Sequence, residues 1–289
     1  NYYGNGEMDT GWRTYGWSLP DGTNVTTATG GTRVNYTTNP VSGVNTSTNV
    51  DYSTTDAVTG YINHNMDLVR VNSVRLDISG DGTATLPSAG NTLHRSTFSI
   101  NGNNNNGIKV TGTGTLNSNR LTMNVNGSGT TINDTDYNNG IINIGTGTVT
   151  DTESHLTVNG ANSNGFYNQS TGGMNLIGTE IIVNGVSNNA VRLRNTNGLS
   201  TTHSGQWTSI TLNGDQNNGI YIDDSTSDAS ATVHATNIHV DGTNNTGILL
   251  GSFEEGPHIT TKNATLDMTY SNVYANNGRG IGIFKGTAN

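Results

Sequence analysis

Three groups of acidic residues have the composition that sugar chemistry or calcium binding requires. Neighbouring carboxylates serve as acid–base pairs in glycosidases and as ligands of Ca²⁺. The groups are Asp223-Asp224 with Asp228, Glu254-Glu255, and Asp134 with Asp136. Adjacent residues of a strand point to opposite faces, so Asp223 and Asp224 share a site only where a turn intervenes. Solvated loop acids are the simpler interpretation of all three groups.

The seven histidines are dispersed along the chain and form no His-x-x-x-His or His-Glu-x-x-His pattern. The sequence therefore predicts neither a metal site nor a cofactor. His234 and His239 flank one predicted corner, where surface hydrogen bonds are the expected role. The sequence also contains no cysteine, no Gly-x-Ser-x-Gly motif and no Walker loop, which argues against thiol, serine-nucleophile and nucleotide chemistry.

An internal repeat positions these side chains. An alternating apolar strand ends in Asn-Gly, and a short spacer, Asn-Asn-Gly and a second apolar strand follow. The first-half glycines are separated by 25, 33, 25, 29 and 28 residues, and they are Gly102, Gly127, Gly160, Gly185, Gly214 and Gly242. Eight extra residues around Asn133–Asp136 explain the single spacing of 33. An insertion confined to one corner is typical of a solenoid.

The period of about 25 residues predicts an all-β parallel β-helix with three short strands in each rung. Alternation places Ile220 and Ile222 inside and Tyr221 outside. The asparagines of Asn-Gly are expected at a corner, where their amides hydrogen-bond between rungs. The third, less regular strand of each rung is predicted at residues 148–150, 174–176, 232–234 and 266–268.

The repeat also predicts the domain organisation. Residues 1–60 lack the repeat and are expected to form an N-terminal cap with irregular first rungs, since an open solenoid end invites edge pairing. Residues 61–289 are expected to form one continuous β-helix, with the first full rung near Tyr61–Gly80. The chain ends within the pattern at Gly280–Phe284, so we expect a longer solenoid that is truncated at its C-terminus.

A stripe of outward side chains is the predicted binding site. One column lies two residues after the second glycine of each unit, and rungs stack about 4.8 Å apart, so its members are neighbours. Aromatic and charged groups on such a face suit sugar stacking or protein contact, although they could equally stabilise cross-strand neighbours. With two residues of the adjoining column, the predicted site is Lys109, Tyr167, Arg192, Arg194, Tyr221 and Asp223.

Charge and composition restrict the possible partners. The formal net charge of −9, from 12 basic and 21 acidic residues, argues against nucleic-acid binding by phosphate neutralisation. No apolar run approaches the roughly 18 residues that span a bilayer, so no direct membrane insertion is expected.

The chain is only 30% hydrophobic, but it is also poor in charge and proline, unlike disordered chains. Its Gly, Asn and Thr suit turns and strands, and they argue against helical bundles and Rossmann enzymes.

The repeated Val-Asn-Gly and Asn-Asn-Gly-Ile units, the absence of cysteine and the acidic balance resemble the passenger domain of bacterial autotransporter adhesins. The resemblance covers roughly residues 60–289. It implies a right-handed β-helix that is exported through the periplasm and displayed outside the cell on the outer membrane. Such passengers mediate adhesion, aggregation or biofilm formation. The implied partners are a host extracellular-matrix protein, a glycan such as a glycosaminoglycan, or a second passenger.

Two other classes of β-helix protein remain as alternatives. Polygalacturonase-like enzymes resemble one another in Asn-Thr-Asp, Asp-Asp, Gly-His-Gly and Arg-Ile-Lys motifs; here only Asp223-Asp224 matches, and Ser204 interrupts a Gly-His-Gly at His203. Phage tailspikes bind glycans on a related solenoid. We expect a non-catalytic adhesin that binds through many weak contacts along the solenoid, with a polysaccharide lyase, glycoside hydrolase or tailspike-like protein as the alternative.

Overall fold

The computed structural model describes a β-solenoid in which every regular element of the described residues is a strand. Before Phe98 it describes only the backbone of the strands. From Phe98 to Asn289 it also describes side chains, apart from residues 102, 105, 111–112, 114, 131–136, 170, 195–197, 224–226, 252–262 and 285. Within this part of the chain there is no helix of the length and apolar character needed to cross a membrane.

The strands are short and follow one another closely along the chain. The first nine are β1 (Val25–Thr26), β2 (Thr32–Arg33), β3 (Asn49–Tyr52), β4 (Thr59–Ile62), β5 (Asn65–Val71), β6 (Arg75–Ile78), β7 (Thr83–Leu86), β8 (Gly90–His94) and β9 (Thr97–Ile100). The next nine are β10 (Asn106–Val110), β11 (Thr115–Asn119), β12 (Thr122–Val125), β13 (Asn138–Asn143), β14 (Val149–Thr152), β15 (His155–Val158), β16 (Ser163–Asn168), β17 (Met174–Ile177) and β18 (Glu180–Val183). The remaining strands are β19 (Asn189–Arg194), β20 (Leu199–Thr202), β21 (Thr208–Leu212), β22 (Asn218–Asp223), β23 (Ala229–His234), β24 (Thr236–Val240), β25 (Asn245–Leu250), β26 (Ala264–Thr269), β27 (Asn272–Ala275), β28 (Gly278–Ile283) and β29 (Gly286–Ala288).

These strands form three sheets, which the chain visits in turn. The first sheet contains β3, β5, β7 and every third strand from β10 to β28; the second runs from β8 to β29, and the third from β4 and β6 through β9 to β27. From β7 to β27 the chain passes through the first, second and third sheets seven times, with parallel pairing between successive rungs. The predicted all-β parallel β-helix with three strands per rung is confirmed, and β14, β17, β23 and β26 supply the predicted third strands.

The rung length is greater than the predicted 25 residues. Successive register partners at the end of the third-sheet strands are separated by 25, 33, 25, 29, 28 and 35 residues, and they are Ile100, Val125, Val158, Val183, Leu212, Val240 and Ala275. The average is about 29 residues. Twenty-five is the length of an uninterrupted rung, and the surplus is inserted at corners between strands. The insertion of eight lies between β12 and β13, where it was predicted, and its residues 131–136 fall outside the described part of the chain.

Little of the predicted N-terminal cap is described. β1 and β2 form an antiparallel pair, β2 pairs antiparallel with β3, and β3 pairs parallel with β5. The rest of residues 1–48, including Trp12 and Trp17, lies outside the described residues. The segment expected to form a first full rung supplies β4 and β6 to the third sheet and β5 to the first sheet. Its described residues supply no strand to the second sheet, in which β8 is the first strand described.

The core is a set of apolar columns that run along the solenoid. In the first sheet the register aligns Ile108, Ile141, Phe166, Val191 and Ile220, and all five are fully buried. Ile220 and Ile222 face inward while Tyr221 between them is half-buried, as alternation predicts. Each buried side chain of this size contributes about 1.5–3 kcal/mol through removal from water, and the gain is realised only when rungs stack.

Asparagine ladders hold the corners between the third and first sheets. In the first ladder the side-chain amide of each asparagine donates to the Oδ1 of its equivalent one rung earlier, at 2.8–2.9 Å, through Asn101, Asn126, Asn159, Asn184 and Asn213. A second ladder, at 2.8–3.0 Å, connects Asn106, Asn139, Asn164, Asn189 and Asn218. Most of the asparagines singled out by the repeat are therefore structural, as expected.

The first ladder changes character at Asp241, the next position of the repeat. A carboxylate has no N–H to donate to Asn213, although it accepts from the amide of Asn276 at 2.6 Å. We expect Asp241→Asn to complete the ladder and raise the free energy of unfolding by about 0.5–1.5 kcal/mol. Urea denaturation measures the change. Asn184→Asp, which breaks the ladder in its interior, is the matched control and should destabilise; equal stability of all three proteins would contradict the ladder's role.

The side chain of Asp151 is an ionisable group that lies inside the solenoid. Asp151 is fully buried, and its carboxylate accepts from the hydroxyls of Ser118, Ser154 and Thr179 at 2.5–2.6 Å. Burial raises the pKa of Asp151 above its ordinary value of 3.8, and the three hydroxyl donors oppose that shift. The hydroxyls come from three successive rungs, so this carboxylate cross-links the stack from within.

The raised pKa of Asp151 predicts a pH-dependent contribution to stability. The folded chain binds this proton more tightly than the unfolded chain, so the contribution is complete below about pH 3.8 and is lost as pH rises through the folded-state pKa. As pH rises over that range, we expect the free energy of unfolding of the parent to fall relative to that of Asp151→Asn. Denaturant unfolding of both proteins from pH 3 to pH 8 measures it. A difference that does not change with pH would show that the pKa of Asp151 is not raised.

Candidate functional site

The predicted stripe exists as a column of the first sheet. Tyr167 pairs with Arg192 and Arg192 with Tyr221 in the parallel register, and Arg194 pairs with Asp223. Lys109 is in the same column, separated from Tyr167 by Ile142. The sequence repeat therefore predicted the alignment of all six site residues correctly.

The expected exposure of this stripe was wrong for its central members. Tyr167 is fully buried, and the exposed fractions of Arg192 and Asp223 are 5% and 2%. The guanidinium of Arg192 lies between the rings of Tyr167 and Tyr221, 5.0 and 5.5 Å from their centroids, and the ring of Tyr137 lies 5.1 Å away. Alternation fixes only the side of the sheet on which a residue lies, not whether that side is covered.

An ion pair completes this buried group. Arg192 donates to Oδ2 of Asp223 at 2.9 Å, and Nε of Arg194 lies 3.8 Å from the same oxygen. Burial raises the pKa of both Tyr167 and Tyr221 above the ordinary value of 10.0, so their phenols, which are neutral at pH 7 in any case, stay neutral into the alkaline range. A cation held between aromatic faces and paired with a carboxylate is a stabilising arrangement. Binding roles for the half-buried Lys109, Arg194 and Tyr221 stay predictions.

We expect Arg192→Met to destabilise the fold because it removes the nearest cation from the buried carboxylate of Asp223. The loss should be about 3–5 kcal/mol, toward the lower end since Arg194 remains nearby. Adding Asp223→Asn should recover part of it. Thermal and urea unfolding measure both changes, and Arg279→Met, at an exposed arginine, is the control that should stay within about 0.5 kcal/mol of the parent. A similar small effect of Arg192→Met would contradict the buried ion pair.

The acidic groups do not form a site within the described part of the chain. Asp223 is buried against Arg192, and the exposed Asp228 accepts from the backbone N–H of Asn263 at 3.0 Å. Asp134, Asp136, Asp224 and Glu254-Glu255 fall outside the described residues. Where side chains are described, no three His, Asp or Glu residues come together as metal ligands.

A different cluster lies at the corner between the second and third sheets. In most rungs a single residue in the left-handed conformation turns this corner, as at Arg120, Glu153, Gly178, Ala235 and Tyr270, with φ between 48° and 63°. One rung departs from the pattern. Ile177 and Glu180 are three residues apart, but their register partners Thr202 and Ser209 are seven apart, so four residues are inserted between β20 and β21.

The insertion is anchored to the rungs before it. The hydroxyl of Ser204 donates to Glu153 at 2.7 Å, and the side-chain amide of Gln206 donates to the carbonyl of Gly178. A Cβ at Gly178 would lie 2.7 Å from the Ser204 hydroxyl oxygen and 3.0 Å from the carbonyl oxygen of Gln206. Glycine at this position therefore allows the insertion to pack against the corner, and it also adopts the positive φ that the turn requires.

Together with the next two rungs, the insertion forms a hollow of about 230 Å³ that is open to solvent. It is lined by His203, Trp207, His234, Ala235 and Tyr270. The exposed fractions of Trp207 and Tyr270 are 39% and 79%. The ring of His234 lies 6.2 Å from that of His203 and 5.6 Å from that of Tyr270, between centroids. We call His203, Trp207, His234 and Tyr270 the corner cluster.

The corner cluster combines aromatic faces with hydrogen-bonding nitrogens and a phenol. Such a combination orients a ligand that has apolar ring faces and polar edges. Nδ1 of His234 forms a hydrogen bond with the hydroxyl of Thr269 at 2.8 Å, which fixes the imidazole. A second aromatic pair, His239 stacked on Tyr274 at 5.0 Å, lies on the exposed face of the third sheet in the last two rungs.

Sequence reasoning missed the corner cluster, although it left two signals. The interval of 29 residues between Gly185 and Gly214 marks a rung with four more residues than the shortest ones. Trp207 is the one tryptophan that lies beyond the first 17 residues. His203 and Tyr270 each directly follow a second-sheet strand, but Trp207 and His234 occupy other positions, so no single column of an alignment brings all four together.

Comparison with protein-family models found no match, and comparisons with curated proteins and with solved structures found none that is significant. The β-solenoid fold itself is compatible with many functions.

Proposed function

We propose that this chain is a binding segment of a bacterial cell-surface adhesin. It is exported to the outside of the cell, contacts its partner along the solenoid surface and carries out no catalysis. The resemblance of the repeat to autotransporter passenger domains supports this role. The proposed partner belongs to one of the three classes expected from the sequence: a host matrix protein, a glycan, or a second copy of the chain.

The observation that carries the proposal is the corner cluster. Tyr270 and Trp207 are large aromatic side chains that remain in contact with water and line one hollow. Tyr274 and Phe284 are also exposed but do not line it, whereas Phe98, Phe166 and Tyr167 are fully buried. Exposed aromatic residues beside polar groups are the composition that binding sites favour. The anchored insertion holds Trp207 in place before any partner arrives, which lowers the entropy cost of binding. The ring of Tyr270 lies against the imidazole of His234.

The form of the site favours contact over catalysis. The described residues that line the hollow include no carboxylate, whereas glycoside hydrolysis generally needs two of them facing one bond. A solenoid presents its contacts at a fixed spacing, so sites that are weak individually act together on a repetitive partner. Display of many chains on one cell adds further valency.

The test uses cells that display the chain from an outer-membrane anchor. We expect such cells to clump or to adhere to surfaces coated with matrix protein or glycan. The double variant Trp207→Ala/Tyr270→Ala should reduce that adhesion by about tenfold or more, since loss of two aromatic contacts is amplified by multivalency. Adherent cells are counted at matched display levels. The control is Val186→Ala, which shortens an exposed apolar side chain at a different corner and should leave adhesion unchanged.

Two results would contradict the proposal. If parent cells neither clump nor adhere, the chain is not an adhesin. If the purified chain releases reducing ends or unsaturated sugars from polygalacturonate or bacterial capsule, it is a polysaccharide-degrading enzyme.

A further inference from the structure

We infer that the corner cluster binds a neutral polysaccharide whose extended chain runs parallel to the solenoid axis. This inference deepens the proposed function and rests on it, because it assigns a ligand class to the same site. Three features of the corner carry it: the size of the hollow, the way its residues are distributed over rungs, and the charge around it.

The hollow has room for one ring and not for a whole ligand. Its volume of about 230 Å³ is below the roughly 300–1,000 Å³ of pockets that enclose drug-sized molecules. It is open to solvent on the side where Trp207 and Tyr270 are exposed. A site of this form suits one residue of a polymer that continues beyond it in both directions.

The corner cluster follows the solenoid axis. His203 and Trp207 belong to the rung of β19–β21, His234 to the rung of β22–β24, and Tyr270 to the rung of β25–β27. Parallel rungs repeat at about 4.8 Å, which is close to the length of one pyranose residue in an extended chain. A polysaccharide lying along the corner would therefore meet a new aromatic or imidazole ring with each sugar residue.

The ring chemistry also suits a sugar. A pyranose has C–H groups on its faces and hydroxyls around its edge, so an aromatic wall and a hydrogen-bonding rim recognise it together. Trp207 and Tyr270 supply the aromatic surfaces. The imidazoles of His203 and His234, together with the phenol of Tyr270, supply donors and acceptors.

The charge around the insertion argues against acidic glycans. Among the residues whose side chains are described, no lysine or arginine lines the hollow. Ser204, within the insertion, donates to Glu153, and this hydrogen bond together with Arg120 lowers the pKa of Glu153, so its carboxylate keeps its negative charge in mild acid. Arg120 lies 2.6 Å from Glu153 and is therefore already paired. A sulfated or uronic-acid polymer would find an ion pair whose charges already balance, and no free cation among the residues described at this end of the cluster.

The experiment follows the emission of Trp207 in a Trp12→Phe/Trp17→Phe background, in which it is the one remaining tryptophan. The neutral probes are glucose, cellotetraose, chitotetraose and mannotetraose; the acidic probes are tetragalacturonate and a heparin tetrasaccharide. We expect at least one neutral tetrasaccharide to change the emission, with an affinity at least about tenfold higher than that of glucose, because several rungs contribute. The acidic probes should bind more weakly than the best neutral one.

Calorimetry with the same tetrasaccharide tests the residues. Tyr270→Ala and Trp207→Ala should each weaken binding by about tenfold. Tyr274→Ala, which removes an exposed tyrosine outside the hollow, should not change it. Glu153→Gln should selectively improve binding of the acidic probes. Circular dichroism of each variant confirms that the β-solenoid is intact.

Three results would overturn the inference. The first is the absence of binding by every neutral probe, and the second is tighter binding of an acidic probe than of any neutral one. The third is unchanged affinity after Tyr270→Ala. If cells still lose adhesion with Trp207→Ala/Tyr270→Ala while no glycan binds, the corner contacts a protein; the adhesin proposal then stands and the polysaccharide assignment fails. If Trp207→Ala/Tyr270→Ala leaves adhesion unchanged, the corner cluster is not the binding site of the adhesin, and this result is separate from the question of ligand class.

Discussion

The register between successive rungs is the constraint on which the rest of this structure depends. Each strand pairs in parallel with its equivalent in the next rung, so a residue is surrounded by copies of its own repeat position. The columns of apolar residues and the two asparagine ladders are consequences of this register. Where a column changes residue type, as at Asp241, the interaction that the column repeats is locally lost. Stability is thus a sum of neighbour contacts along one axis.

The same register explains how a chain with few hydrophobic residues maintains a core. Polar side chains are buried on both faces of the sheets wherever stacking places their hydrogen-bonding or charged partners in neighbouring rungs. Asp151 is held by hydroxyls from three rungs, and Arg192 lies between tyrosines of the rungs before and after it. A buried charge is tolerated only when such partners are in place. Both groups are therefore cross-links of the stack, although their residue types alone suggest chemistry.

Insertions at the corners are the means by which a repetitive surface becomes specific. A rung must keep its strands in register, but its corners can lengthen without disturbing the ladders on either side. The four residues added between β20 and β21 place Trp207 beside His234 and Tyr270 of the following rungs. They are held by Ser204 and Gln206, and Gly178 leaves room for them. The site thus combines irregular residues with a regular scaffold.

The sequence by itself determined the fold class, the three-strand rung, the inward and outward alternation, the amide ladders and the alignment of Tyr167, Arg192 and Tyr221. These features follow from a periodic pattern, because stacking turns equal repeat positions into neighbours. Only the tertiary structure decided that Arg192 is buried between aromatic rings and that the exposed aromatic site lies at a corner. Burial depends on what covers a face, and the corner cluster joins residues from unequal repeat positions. Neither property is periodic, so neither could be read from the spacing of the repeat.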